Sequence, residues 1–249
     1  MADLKSYHIL GVRVDDINFE ETIAIIRGFI LAGSPHQIVT VNPEFVMAAQ
    51  ANDEFRRVIN GASLSLPDGI GIWWASRQMG SPVRQRVPGV DLVRRLAQLS
   101  HETGYRIFLL GAMRGVADRA ARELVSSHAR AQIVGTLSGS PHPDQAEDII
   151  ARIHAVQPDI LLVAFGAPTQ DLWIARYLNE LSVPVCIGVG GSFDYIAGEH
   201  PMAPDFLRRC GLEWLFRLLT QPWRWRRMLA LPRFVWQVLW SKSGDREIR

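Results

Sequence analysis

Residues 160–191, ILLVAFGAPTQDLWIARYLNELSVPVCIGVGG, decide the fold. Ile160 to Phe165 is an unbroken apolar run of strand length. The turn Gly166-Ala167-Pro168-Thr169-Gln170 leads from it into Asp171 to Leu181, whose apolar positions recur at helical spacing. Val183 to Val189 is a second apolar run, closed by Gly190-Gly191-Ser192. Strands without polar alternation, joined through a helix, belong to a parallel sheet covered on both faces. Upstream the pattern repeats. Arg106 to Leu110 runs into Gly111 and a helix over Val116 to His128; Gln132 to Thr136 is followed by a loop and a helix over Asp144 to Val156. Nearer the amino terminus, Tyr7 to Val14, Gln37 to Val41 and Leu64 to Leu66 read as strands. Helices are expected over Phe19 to Ala32, Glu44 to Asn52, Ile70 to Gln78 and Asp91 to Thr103, with Pro43 starting the second and Gly104 stopping the last. The expected class is α/β, a doubly wound, mostly parallel, Rossmann-like sheet over residues 1–200, with a helical appendage over 201–249 joined at the Pro201/Pro204 loop.

A chain of 249 residues with 48% hydrophobic and 21% charged residues buries a substantial core. Met1 to Tyr7 carries both signs of charge and no apolar stretch of signal-peptide length, which argues for a cytoplasmic location. No run reaches the ~18 apolar residues of a spanning helix. Cys186 lies within an apolar strand, far from Cys210, and reads as a small buried hydrophobe. The net charge of +2 conceals an asymmetry, because ten basic residues against four acidic ones follow from Asp205 onward. Five of the eight tryptophans (Trp214, Trp223, Trp225, Trp236, Trp240) share that tail.

In doubly wound folds ligands sit outside the carboxyl ends of the strands. The polar residues at those ends are Thr40, Asn42, Asp68, Gln170 and Ser192, with glycines at 111, 166, 190 and 191. Each has two readings. Asp68 is either the cap of the next helix or a catalytic carboxylate; Thr40 and Asn42 are turn formers or substrate ligands; Gln170 is a cap or a ligand. Gly111 and Gly190 serve tight turns or let substrate approach the backbone. There is no Walker A sequence, no G-x-G-x-x-G after the first strand, no G-x-S-x-G and no Asp-x-Asp. The seven histidines show no paired ligand spacing, so neither a metal nor another cofactor is expected. Asp15-Asp16 reads as a turn, and Asp194 as structural.

Taken together, Thr40-Val41-Asn42, Pro67-Asp68-Gly69-Ile70-Gly71, Arg86-Val87-Pro88-Gly89-Val90-Asp91-Leu92, Phe108-Leu109-Leu110-Gly111, Gly166 to Trp173, Gly188 to Asp194 and Gly211 to Leu218 form a distinctive series. The series resembles the WecG/TagA/CpsF glycosyltransferases, glycosyltransferase family 26, from about Tyr7 to Arg227. The resemblance implies an inverting, metal-independent transfer of a sugar, commonly N-acetylmannosamine, from a UDP-sugar to a polyprenyl-diphosphate-linked sugar. The setting it implies is surface polysaccharide synthesis at the inner face of the bacterial plasma membrane. It assigns the base to Asp68 and substrate binding to Thr40, Asn42, Arg86 and Gln170, to which strand-end placement adds Gly111 and Gly190. It makes Arg217, Arg224 and Arg227 diphosphate- or membrane-binding residues on an appendage that closes over the site. UDP-glucose or UDP-N-acetylmannosaminuronate remain alternative donors, and a non-enzymatic nucleotide-binding or basic interaction module the alternative of another class. The chain departs from the family pattern at Met202-Ala203-Pro204, where Arg-Ala-Pro is usual. It departs also at Gln170-Asp171 in place of Gln-Glu, and in the loop Ser138 to Pro143.

The tail has a signature of its own. Leu212, Leu215, Phe216 and Leu219 recur at helical spacing beside Arg208, Arg209 and Arg217. Pro222-Trp223-Arg224-Trp225-Arg226-Arg227 then leads into a second apolar-periodic stretch. Arginine with tryptophan on amphipathic helices is the pattern of a surface-lying membrane contact, and basic residues gain about 1 kcal/mol each near an anionic leaflet. Nucleic acid is the weaker reading, because leucine, valine and phenylalanine are interleaved with the basic residues. Docking on a neighbouring protein is a third, and self-association is left open.

Overall fold

The computed structural model describes residues 4–244. In chain order the elements are β1 (Ser6–Ile9), β2 (Val12–Asp15), α1 (Phe19–Ala32), β3 (His36–Val41), α2 (Pro43–Ala51), α3 (Asp53–Gly61), β4 (Leu64–Pro67), α4 (Ile70–Gln78), α5 (Gly89–Thr103), β5 (Arg106–Gly111), α6 (Val116–Ser127), β6 (Gln132–Leu137), α7 (Ala146–Val156), β7 (Ile160–Ala164), α8 (Thr169–Leu181), β8 (Val185–Gly188), α9 (Ser192–Ile196), α10 (Asp205–Arg209), α11 (Glu213–Thr220), α12 (Trp225–Met228) and α13 (Ala230–Gly244). Six strands form one parallel sheet in the order β4-β3-β8-β7-β5-β6.

Alternate residues of each strand serve opposite faces. Ile107 and Leu109 of β5 join a core with α1, α5, α6 and α9; Phe108 and Leu110 join a second core with α7 and α8. Both faces are therefore covered, which is why the strands carry no polar alternation. A third cluster lies under α2, α3 and α4. Phe234 and Val238 of α13 are fully buried in it, so the last helix is packed into the body of the molecule.

The first segment corrects the sequence reading. Tyr7 to Val14 is a two-stranded antiparallel hairpin outside the main sheet, not a single strand. It turns at Leu10 and Gly11, with φ of 50° and 78°. Two successive left-handed residues are what a two-residue hairpin turn requires. Asp15 lies in β2, where its carboxylate accepts from Ser6 Oγ at 2.7 Å, Arg13 Nε at 2.8 Å and the Ser65 amide at 2.8 Å, stapling the hairpin to β4. A helix absent from the sequence reading, α3, follows Asn52, whose side chain accepts from the Phe55 amide at 2.9 Å.

Candidate active site

The two halves of the sheet meet where β3 lies beside β8, since β3 leads outward to β4 while β5 to β8 build the other side. A crevice opens at such a switch point. Thr40, at the carboxyl end of β3, is buried and donates its hydroxyl to the Gly188 carbonyl at 3.2 Å, tying the two halves together. Asn42, two residues on, caps α2 by accepting from the Phe45 amide at 3.1 Å.

Gln170 is the second tie. Its Oε1 accepts from the Gly190 amide at 2.9 Å and the Gly166 amide at 3.2 Å, joining the loops after β8 and β7. The residue is almost wholly buried, so its side chain shapes both loops from beneath. Gly190 and Gly166 adopt φ of 53° and 83° there. At Gly111 (φ 98°) an added Cβ would meet the Ala164 carbonyl carbon at 2.8 Å; this glycine is required by the close pass of β5 and β7.

Asp68 follows the last residue of β4, and its amide donates to the Val41 carbonyl at 2.8 Å. Of its two sequence readings the structure removes one: the residue at the cap of α4 is Gly69, and no side chain caps that helix. Asp68 is half-buried as a residue. The protein packed around its carboxyl pushes the pKa up to about 7. Arg217 opposes this shift, Glu213 reinforces it, the Gly89 amide opposes it and Asp91 adds to it. A carboxylate that titrates near neutrality has the basicity a proton acceptor needs.

The carboxy-terminal helices supply most of the charged groups around Asp68. Arg217 of α11 pairs with Glu213 one turn earlier, its guanidinium lies 4.8 Å from the centre of the Tyr195 ring, and its Nε is buried with no hydrogen-bond partner. Arg208 of α10 pairs with Asp91 of α5 at 2.5 Å. Arg86 is half-buried and donates to the Arg208 carbonyl at 3.4 Å. Its neighbour Arg84 is bound instead to Glu21 at 2.8 Å and Asp16 at 3.2 Å. Arg227 pairs with Glu44 at 2.6 Å, beside a cavity of about 340 Å³ lined by Met47, Ala167, Arg226 and Arg233. The side chain of Arg224 lies outside the described residues. Two further clefts, of about 480 and 520 Å³, contain none of the strand-end candidates.

Four participants escaped the sequence reading as site residues: Tyr195, Asp91, Glu213 and Arg208. Only the Glu213–Arg217 spacing of four residues was legible, as a helical ion pair. The others come together through long-range folding.

The motif series that suggested a family thus lies largely at the carboxyl ends of the parallel strands, and the match extends along the chain. The Glycosyl transferase WecG/TagA/CpsF family matches residues 7–247. The chain belongs to this family. It is a glycosyltransferase, which displaces the reading as a non-enzymatic module. Among its relatives is an N-acetylglucosaminyldiphosphoundecaprenol N-acetyl-beta-D-mannosaminyltransferase of Bacillus spizizenii, 36% identical over 81% of this chain and 78% of the relative. The enzyme of the same name from Bacillus subtilis is 35% identical over 84% and 81%. That of Staphylococcus aureus is 31% identical over 94% and 92%.

Proposed function

We propose that this glycosyltransferase moves an N-acetylmannosamine-type sugar from a UDP-sugar to a polyprenyl-diphosphate-linked N-acetylglucosamine, with inversion at the anomeric carbon. The reading rests above all on Asp68, whose pKa burial raises to about 7, and on Arg217, which acts on it electrostatically and whose Nε–H is buried and unsatisfied. The first suits a proton acceptor and the second an anion. In the proposed reaction Asp68 takes the proton of the acceptor hydroxyl as its oxygen attacks the anomeric carbon. The carbon–oxygen bond to UDP breaks on the opposite face, and its electron pair leaves with the diphosphate. Negative charge developing there is met by guanidinium and backbone N–H groups placed in advance. Arg86 and Arg217 are the arginines assigned to this role, and Thr40, Asn42 and Gln170 hold the crevice walls in register. The names of the Bacillus and Staphylococcus relatives support the N-acetylmannosamine and lipid-diphosphate assignment.

A panel of UDP-sugars with a lipid-linked N-acetylglucosamine acceptor, read by UDP release, tests the donor. UDP-N-acetylmannosamine is expected to turn over fastest. Preference for UDP-glucose or UDP-N-acetylmannosaminuronate would replace it.

The tail carries the second part of the proposal, docking on the inner face of the plasma membrane. No helix among the described residues is long and apolar enough to cross a membrane. Yet Phe206, Leu219, Trp223, Trp225, Trp236 and Trp240 are all exposed in this one region. Trp236 and Trp240 stack on each other with centroids 5.8 Å apart while remaining 66% and 68% exposed. Rings exposed in water and interspersed with arginine suit the boundary between headgroups and acyl chains. Because neither ring is buried, Trp236→Ala/Trp240→Ala is expected to leave the fold intact and weaken binding to anionic vesicles roughly tenfold or more. Unchanged vesicle co-sedimentation would remove the docking surface.

A further inference from the structure

Arg217 poses a physical problem for a base at Asp68. A guanidinium beside a carboxylate favours a bidentate pair, which stabilises the ionised carboxylate and occupies the oxygens that must receive a proton. Such a neighbour lowers a carboxylate pKa by roughly 1–3 units. Burial raises the Asp68 carboxyl pKa against this pull, and Glu213 works in the same direction, opposing Arg217. Glu213 lies one helical turn before Arg217 on α11 and takes the Arg217 Nη2 as its ion-pair partner. The other side of the guanidinium rests on the Tyr195 ring. Arg217 is thus held from two directions by groups other than Asp68, and its positive charge is partly offset by Glu213 on its own helix.

We propose that Glu213 is a positioning residue for the transfer reaction: by holding and partly neutralising Arg217 it keeps the guanidinium available to an anionic substrate and prevents it from capturing Asp68. The inference rests on the reading of Asp68 as the base. The remaining charged groups packed around Asp68 do not substitute for it. Asp91 of α5 is bound to Arg208 of α10, and Arg86 in the loop before α5 is directed to the Arg208 backbone carbonyl. Glu213 joins Arg217 directly, and its effect on Asp68 has the sign required, opposing that of Arg217.

The arrangement also gives the carboxy-terminal segment a chemical task. Glu213 and Arg217 arrive as a preassembled pair on one helix, so docking of α11 delivers a cation to the crevice without a matching loss of basicity at Asp68. When the diphosphate enters, the buried Nε–H of Arg217 is free to donate to it, while Glu213 keeps hold of the other end of the guanidinium.

The test is the pH dependence of kcat for the full chain and for Glu213→Gln, with the Asp68 carboxyl titrated in parallel by carbon-13 NMR in the absence of substrate. Glu213→Gln frees Arg217 toward Asp68, so both the acid limb of kcat and the Asp68 titration are expected to move down by about one pH unit. The plateau kcat is expected to fall roughly tenfold, as a weaker base transfers the proton less well. Glu213→Asp keeps the charge and is expected to restore a profile close to that of the parent chain. If Glu213→Gln lowers kcat but leaves the acid limb and the Asp68 titration in place, or moves them upward, the proposal falls. Should Glu213→Gln not fold, a charge-retaining Glu213→Asp whose Asp68 titration departs from the parent by a full unit overturns it equally. Failure of the base reading is separate: it shows as turnover surviving in Asp68→Asn, while the NMR titration still reports on Glu213.

Discussion

Asp68→Asn is expected to lower kcat by about 10²–10⁴-fold, the range that a positioned general base contributes, with much smaller changes in the KM of the donor. The substitution keeps the shape of the side chain and removes the group that accepts the proton. It is also expected to be benign for stability. Burial raises the Asp68 pKa to about 7, so in the folded protein the ionised form is the disfavoured one, and an uncharged amide relieves that cost. Loss of activity in a chain that unfolds at the same or a higher temperature therefore identifies chemistry as the cause. For the parent enzyme the same pKa predicts an acid limb in kcat, falling tenfold per pH unit below about pH 7. Near-normal turnover in Asp68→Asn would remove the residue as base.

The second large effect concerns Asp171, which the proposed mechanism does not use. Its side chain is fully buried at the start of α8, and neither carboxyl oxygen has a well-formed hydrogen bond. Oδ1 lies against Gly188, where an added Cβ would come within 2.5 Å of it. Burial pushes the Asp171 pKa up to about 7, partly offset by the neighbouring Gln170 amide. The folded chain thus holds this proton more tightly than the unfolded chain. Below about pH 3.8, where both states are protonated, the burial carries no ionisation penalty. As pH rises from there through about 7 the folded state loses stability relative to the unfolded one, and it stays lower above. A shift of this size corresponds to about 4 kcal/mol, and for a chain of this length each kcal/mol moves Tm by about 2–4 °C. Asp171→Asn is accordingly expected to raise Tm by roughly 8–16 °C at pH 8 and to change it little at pH 4. The Asp68 contribution has the same sign but is common to both proteins, so their difference isolates Asp171. Parallel Tm curves across this range would contradict the account. The departure at Gln170-Asp171 from the family's Gln-Glu thus has a local consequence: the carboxyl stops beside Gly188, under Gln170, the side chain that ties the loops after β7 and β8.

Much of the architecture could be read before any coordinates. Ile160 to Val189 contains strand, turn, helix and strand in a pattern that only a parallel sheet covered on both faces explains, and the observed β7, α8 and β8 follow it. Candidate ligands could also be located, because strand ends in such a sheet face the crevice. Tyr7 to Val14 was misread because apolar strand residues continue on both sides of Leu10-Gly11, and the reversal is made by backbone dihedrals rather than by polarity. The roles of the strand-end residues were not legible either. Thr40, Asn42 and Gln170 carry the same hydrogen-bonding groups whether they hold a loop or a sugar. Their observed partners are the Gly188 carbonyl, the Phe45 amide and the Gly166 and Gly190 amides.

What the sequence by itself determined is the periodic burial pattern, and with it a parallel sheet covered by helices on both faces and the concentration of arginine and tryptophan in the tail. These follow from local spacing and composition. What only the tertiary structure decided is the electrostatic state of Asp68. It lies 149 residues from Arg217 and 145 from Glu213 along the chain, and its basicity depends on desolvation and on charges brought beside it by α11 and α5. Local spacing predicts burial along one element, whereas a carboxyl pKa is set by everything that surrounds it in space, and that assembly exists only once the carboxy-terminal helices have closed over the sheet.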